Sequence, residues 1–216
     1  MKQKKAKKKK CFFLGFITVV LVIMAVCMTI KVMPIVTAGY KMYQEAISKE
    51  SIEEAIAEIK EDDTYLTLDE IPESYKGGVV ASEDKRFYKH SGMDLYATLR
   101  AVIVNLKAGS YKEGGSTITQ QLAKNLYFSF EKKVERKVAE LFVARDLEKM
   151  LTKDEILELY CNIAYFGEGC YGLEEAAEHY YGVDASQLSE SQANALVFTI
   201  KSPNNYNPNV YEGAIA

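Results

Sequence analysis

Residues 11–30 form a run of twenty without a charge, directly behind a ten-residue segment that contains seven lysines. Only Gly15, Thr18 and Thr29 in that run fall outside the apolar set. An α-helix rises about 1.5 Å per residue, so about twenty such residues span the hydrocarbon core of a bilayer. A cleavable signal peptide is the rival reading, but its apolar region is usually shorter and ends at a small-residue cleavage site. Lys31-Val32-Met33-Pro34 offers no such site. The reading is therefore a retained single-pass transmembrane helix over residues 11–33, preceded by a basic tail over residues 1–10. Positive flanks stay in the cytoplasm, which places the N-terminus inside and everything after about Lys31 outside. Anionic head groups of membrane lipid would add to the hold of the lysines on the inner leaflet.

The formal charge of −3 conceals an asymmetry: eight of the 27 basic residues, and none of the 30 acidic ones, lie in the first 31 positions. The remainder carries 19 basic against 30 acidic groups, a formal charge of −11. Such a domain is a poor nucleic-acid binder, so no nucleic-acid partner is expected. If it handles an anionic substrate, positive charge must be gathered locally. Of the four cysteines, Cys11 and Cys27 fall in the apolar run. Cys161 and Cys170 lie in the outer domain, where a disulfide is chemically permitted; two buried thiols are the preferred reading. No Cys/His set has zinc spacing, and the two histidines are too few for most metal clusters.

After the span, residues 36–60 read as helical, with Ile47, Ile52, Ala55, Ile56 and Ile59 among acids and lysines. This gives a juxtamembrane stalk over residues 34–64 and a domain over residues 65–216. Tyr65 to Leu68 reads as a short extended piece. Strand-like alternation is almost absent beyond Pro72, and all four prolines stand at apparent element boundaries. Asp94 caps a helix through Leu106 that Gly109 ends. Another helix starts near Thr117, and an amphipathic one runs from about Lys132 to Met150. Thr152 with Glu155, and Ser189 with Gln192, form capping boxes for two more. The class is mainly α.

Four stretches carry chemistry. Ser82-Glu83-Asp84 through His90-Ser91-Gly92-Met93-Asp94 sets two acids beside aromatics and a helix cap. A partly desolvated carboxylate there suits a general base, although adjacent acids are usually solvated. Glu113-Gly114-Gly115-Ser116-Thr117 opens a helix on which Thr117, Gln121 and Lys124 share a face. Paired glycines and a helix N-terminus with free N–H groups suit a phosphate or pyrophosphate; a flexible loop before a capped helix is the equal alternative. Arg136 and Glu140 stand four apart, the spacing of an ordinary surface ion pair. Lys153 to Asn162, Phe166-Gly167 and Gly169 to Gly172 read as packing, with Glu155 and Glu158 structural.

In order and spacing these stretches resemble the peptidoglycan glycosyltransferase family, the transglycosylase domain of class A penicillin-binding proteins and of monofunctional enzymes. The resemblance runs from Glu83-Asp84…Phe87…His90 through Gly114-Gly115-Ser116-Thr117-Ile118-Thr119-Gln120-Gln121…Lys124-Asn125, Arg136-Lys137…Glu140 and Ile156-Leu157-Glu158…Tyr160…Asn162 to Ser202-Pro203…Tyr206-Asn207-Pro208. It implies a lysozyme-like, two-lobed helical domain whose smaller lobe dips into the membrane. It implies polymerisation of lipid II, the lipid-linked GlcNAc–MurNAc unit, onto a growing glycan strand with inversion and release of undecaprenyl pyrophosphate. Glu83 would be the base and Glu140 the second essential acid. Asp84, Phe87, His90, Gly115, Ser116, Thr117, Gln120, Gln121, Lys124, Arg136 and Lys137 would bind substrate. The resemblance also implies assistance by a divalent metal (Mg or Mn) held with the substrate pyrophosphate, no covalent cofactor, and crosslinking by separate transpeptidases at a bacterial cell membrane. Three departures stand out. Lys132 or Lys133 serves where the family often has arginine, Cys161 replaces leucine, and the chain ends at Ala216, where members continue into a further helix. A lysozyme-like muramidase and a non-catalytic cell-wall scaffold are the alternatives.

Overall fold

The computed structural model describes residues 2–110, 112–128 and 133–211, with side chains at residues 18 and 19 and from 27 onward. The chain is mainly helical. Helix α1 (Lys2–Lys49) is followed by α2 (Ile52–Lys60), α3 (Glu73–Glu83), α4 (Leu95–Ala108), α5 (Ile118–Tyr127), α6 (Val134–Met150) and α7 (Lys153–Ile163). A two-stranded antiparallel hairpin, β1 (Tyr165–Gly167) and β2 (Cys170–Tyr171), leads into α8 (Leu173–Tyr181), α9 (Glu190–Thr199) and α10 (Pro203–Tyr206).

Local chemistry accounts for half of the ten α-helix starts among the described residues. Ser51, Thr117, Thr152 and Ser189 each accept from the backbone N–H three residues on, while Glu54, Gln120, Glu155 and Gln192 reach back. Each box satisfies two donors that a helix start leaves orphaned. Asp94 caps α4 through the Ala97 N–H, and Gly109, with φ 62°, closes it in the left-handed conformation that glycine adopts without strain. The periodic stretch over residues 36–60 is not one helix, because the Ser51 box starts α2 afresh. Pro34, expected at a boundary, instead lies inside α1.

Most of the apolar run 11–30 lies outside the residues whose side chains are described. Among the described residues no helix is long and apolar enough to cross a membrane. Lys132 and the end of the chain, residues 212–216, also fall outside the described set.

The core gathers Tyr75 and Val79 of α3, Leu122 of α5, Val143 and Leu147 of α6, Ile156 and Leu159 of α7, Phe166, and Leu196 of α9. Cys161 and Cys170 are buried free thiols, and burial pushes Cys161 up to about 12. The Tyr65–Leu68 piece pairs with no strand among the described residues. Asn162 accepts from the Leu66 N–H and donates to its carbonyl, both at 2.8 Å, while Glu158 accepts from the Leu68 N–H and the Tyr65 hydroxyl. The motif residues Glu158 and Asn162 thus replace a neighbouring strand. Gly172, with φ 85°, lets the chain pass so close to Asn162 that a Cβ would lie 2.5 Å from its carbonyl oxygen.

Candidate active site

Helix α3 ends at Glu83, with Asp84 as its C-cap. Glu83 is half-buried, and its Oε2 accepts from Gln121 Nε2 at 2.8 Å; Ser82 Oγ lies 3.4 Å from Oε1. The same amide accepts, through Oε1, from the Tyr160 hydroxyl at 3.2 Å. Asp84 turns the other way. Its carboxylate accepts from His90 Nε2 at 2.9 Å and from the Ile118 N–H at 3.2 Å. It therefore sits at the N-terminus of α5.

That placement bears on the two readings left open for this helix start, an anion site or a capped helix. The protein's own carboxylate already takes the Ile118 N–H. Thr117 Oγ1 accepts from the Gln120 N–H at 3.2 Å and donates to the Gly92 carbonyl at 2.7 Å. Gln120 Oε1 returns to the Thr117 N–H at 3.4 Å. Thr117 and Gln120 are buried and shape the cleft, which Gln121 and Lys124 of α5 also line. Gly115 packs closely on α4: a Cβ there would lie 3.0 Å from the Thr98 Cα. Asn105 of α4 receives the N–H groups of Lys112 and Glu113, and Arg100 pairs with Glu113 at 3.1 Å. The glycine loop is thus fastened to α4.

Helix α6 supplies a compact ionic group. Glu140 is 1% exposed and pairs with Arg136 and with Lys137 Nζ at 2.8 Å; Lys137 also donates to Ser116 Oγ at 2.8 Å. The ion pair read from spacing is present, but it faces the cleft rather than open solvent. A buried carboxylate needs such partners to remain charged. Burial pushes the Lys124 ammonium below the usual lysine value. Glu140 opposes that shift, and Arg136 and Lys137 reinforce it.

These parts line one cleft of about 930 Å³. It brings together Glu83, Asp84, Gly115, Ser116, Thr117, Gln120, Gln121, Lys124, Arg136, Lys137 and Glu140. Phe87 and His90, expected to touch substrate, lie behind the lining: Phe87 is fully buried, and the His90 ring backs Asp84. Residues that were not expected at the site also reach the cleft, among them Tyr160, Arg100, Lys201 and Asn204. Tyr160 stands in a recognisable stretch, but a tyrosine within a buried helix reads as packing. Eight basic side chains (Lys85, Arg86, Arg100, Lys112, Lys124, Arg136, Lys137, Lys201) face five acidic ones (Glu83, Asp84, Asp94, Glu113, Glu140) there. This is the local positive excess that an acidic domain needs to hold an anion.

Among the described residues, no three His, Cys, Asp or Glu side chains gather where they could hold a metal ion. Glu140 is engaged by two cations.

The family model described as Transglycosylase matches residues 49–216. Penicillin-binding protein 1A of Aquifex aeolicus is 46% identical over 144 residues, which are 67% of this chain and 20% of that protein. Penicillin-binding protein 1A/1B of Bacillus subtilis is 46% identical over 155 residues, 71% of this chain and 17% of that protein. Penicillin-binding protein 1F of the same organism is 36% identical over 213 residues, 94% of this chain and 29% of that protein. The chain thus spans between about a sixth and about three tenths of the length of these relatives.

Proposed function

Because the chain belongs to the transglycosylase family, we propose that it is a peptidoglycan glycosyltransferase that joins lipid-linked disaccharide units into β-1,4 glycan strands. The observation that carries this reading is the cleft itself. One carboxylate, Glu83, is oriented by an amide, and a separate basic group of Lys124, Arg136 and Lys137 surrounds Glu140.

Glu83 removes the proton from the 4-hydroxyl of the acceptor sugar. The freed oxygen pair attacks the anomeric carbon of the donor, and the bond to undecaprenyl pyrophosphate breaks. The departing pyrophosphate carries its own charge, so it needs electrostatic stabilisation rather than a strong acid, and cations held in place supply this without reorganisation. A single displacement inverts the anomeric centre. Glu140 fixes Arg136 and Lys137 and limits their mutual repulsion.

We further infer that residues 11–33 span the membrane with the catalytic domain outside. Helix α4 supports contact with that membrane. Leu95, Leu99, Val102, Ile103 and Leu106 recur at helical spacing on it, and Leu95 and Leu106 are 71% and 77% exposed. An apolar helix face of this kind, left uncovered, suits insertion at the acyl boundary. Helix α4, to which the glycine loop is fastened, would then hold the cleft beside its lipid-borne substrate.

The test is polymerisation of purified lipid II in detergent, with Glu83→Gln as the control. Polymer from the wild type and a loss of at least about a hundredfold in the variant is the expected result. A folded wild type that makes no polymer would overturn the reading, and cleavage of preformed strands would favour a muramidase.

A further inference from the structure

We propose that Tyr160 is a positioning residue: its hydroxyl fixes the Gln121 amide, which in turn fixes Glu83 and leaves Oε1 as the atom that receives the proton. This rests on the reading of Glu83 as the general base.

The two ends of a glutamine amide are similar in shape and opposite in polarity, so an amide is oriented only when both ends find the right partner. For Gln121, Nε2 donates to Glu83 Oε2 at 2.8 Å and Oε1 accepts from Tyr160 at 3.2 Å. Tyr160 is 2% exposed, and its ring is locked in α7 against the core, so the hydroxyl is a rigid donor. Burial, then the nearby Glu83 charge, pushes that hydroxyl well above the ordinary tyrosine value, so it keeps its proton. The chain Tyr160–Gln121–Glu83 crosses three helices, α7, α5 and α3, and ends at the cleft.

The consequence falls on the carboxylate. Oε2 is engaged by the amide, whereas among the described residues Oε1 has only Ser82 Oγ at 3.4 Å, beyond good hydrogen-bond length. In the transfer, the acceptor O–H bond breaks, its proton moves to Oε1, and the electron pair left on the sugar oxygen forms the new glycosidic bond. A donor held on Oε2 fixes the carboxylate's orientation and leaves Oε1 to face the acceptor hydroxyl. Without the tyrosine hydroxyl the amide is tethered at one end, and the donor to Oε2 weakens.

Tyr160→Phe keeps the ring and its packing. In the full-length chain, the Glu83 carboxyl is titrated by carbon-13 NMR in wild type, Tyr160→Phe, Gln121→Ala and the double variant. Lipid II polymerisation is measured on the same samples. The expected result is a Glu83 titration displaced to higher pH in Tyr160→Phe, with the acid limb of the pH–rate profile displaced the same way. Its kcat should fall about tenfold with KM little changed, and the double variant should be no worse than Gln121→Ala. A Glu83 titration identical in wild type and Tyr160→Phe overturns the proposal. So does a rate loss that adds in full to that of Gln121→Ala, which would mean a merely structural role. If the wild type makes no polymer but Glu83 still responds to Tyr160, the positioning role stands and the polymerase reading falls. If polymer forms and Glu83 is indifferent to Tyr160, the reverse holds.

Discussion

Burial holds the Lys124 ammonium below its ordinary value, with Arg136 and Lys137 adding to the effect against Glu140. The folded protein therefore binds this proton less tightly than the unfolded chain. Between the lowered folded value and the unfolded one, the unfolded chain carries more protons, so stability rises with pH through that alkaline window. Below the folded value the penalty is present in full. Lys124→Met should therefore melt at a higher temperature than wild type at neutral pH and lose part of the alkaline rise, as followed by circular dichroism across pH. It should also lose polymerisation. A buried ammonium that costs the fold stability while serving turnover suits a site that takes a polyanion.

At the level of elements, the packing of α1 on α6 stands out. Gly39 of α1 lies so close to α6 that a Cβ would meet Val138 Cβ at 2.5 Å and the Glu135 carbonyl oxygen at 2.7 Å. Tyr40 and Tyr43 pack on Phe142, and the Tyr43 hydroxyl donates to Asp146 at 2.5 Å. Helix α6 presents Arg136, Lys137 and Glu140 to the cleft, so α1 sets the position of the basic group from behind. Gly39→Leu cannot be accommodated without separating the two helices. A destabilisation of about 2 kcal/mol is expected from overpacking, read as a lower melting temperature, together with a fall in kcat as the cations shift. Unchanged melting and turnover would show that the contact is not tight.

For the molecule as a whole, charge and apolar surface divide the labour. A domain with a formal charge of −11 gathers basic residues in its cleft and leaves the apolar face of α4 uncovered. If that face lies at the acyl boundary, charging it should matter only where a bilayer is present. Leu99→Glu combined with Leu106→Glu should lower polymerisation of vesicle-embedded lipid II about tenfold. Activity on detergent-solubilised substrate should stay near wild type. Equal losses in both media would mean that α4 acts through the fold.

The sequence by itself determined the helical class, the boundaries at Asp94, Gly109, Thr152 and Ser189, and the order of motifs that carries the family. Caps and stops are written within three or four residues, so the local chain contains the whole signal. The same signal at Ser51 and Glu54 is masked by a helical period that continues on both sides of it. Only the tertiary structure decided which motif residues face the cleft. Asp84 reaches Ile118 across 34 positions, Gln121 reaches Glu83 across 38, and Tyr160 reaches Gln121 across 39. Nothing in the neighbourhood of Asp84 says that it will sit at the start of α5, nor near Phe87 and His90 that they will lie behind the wall. Those assignments follow from how helices pack, and packing depends on residues that the chain brings together only when it folds.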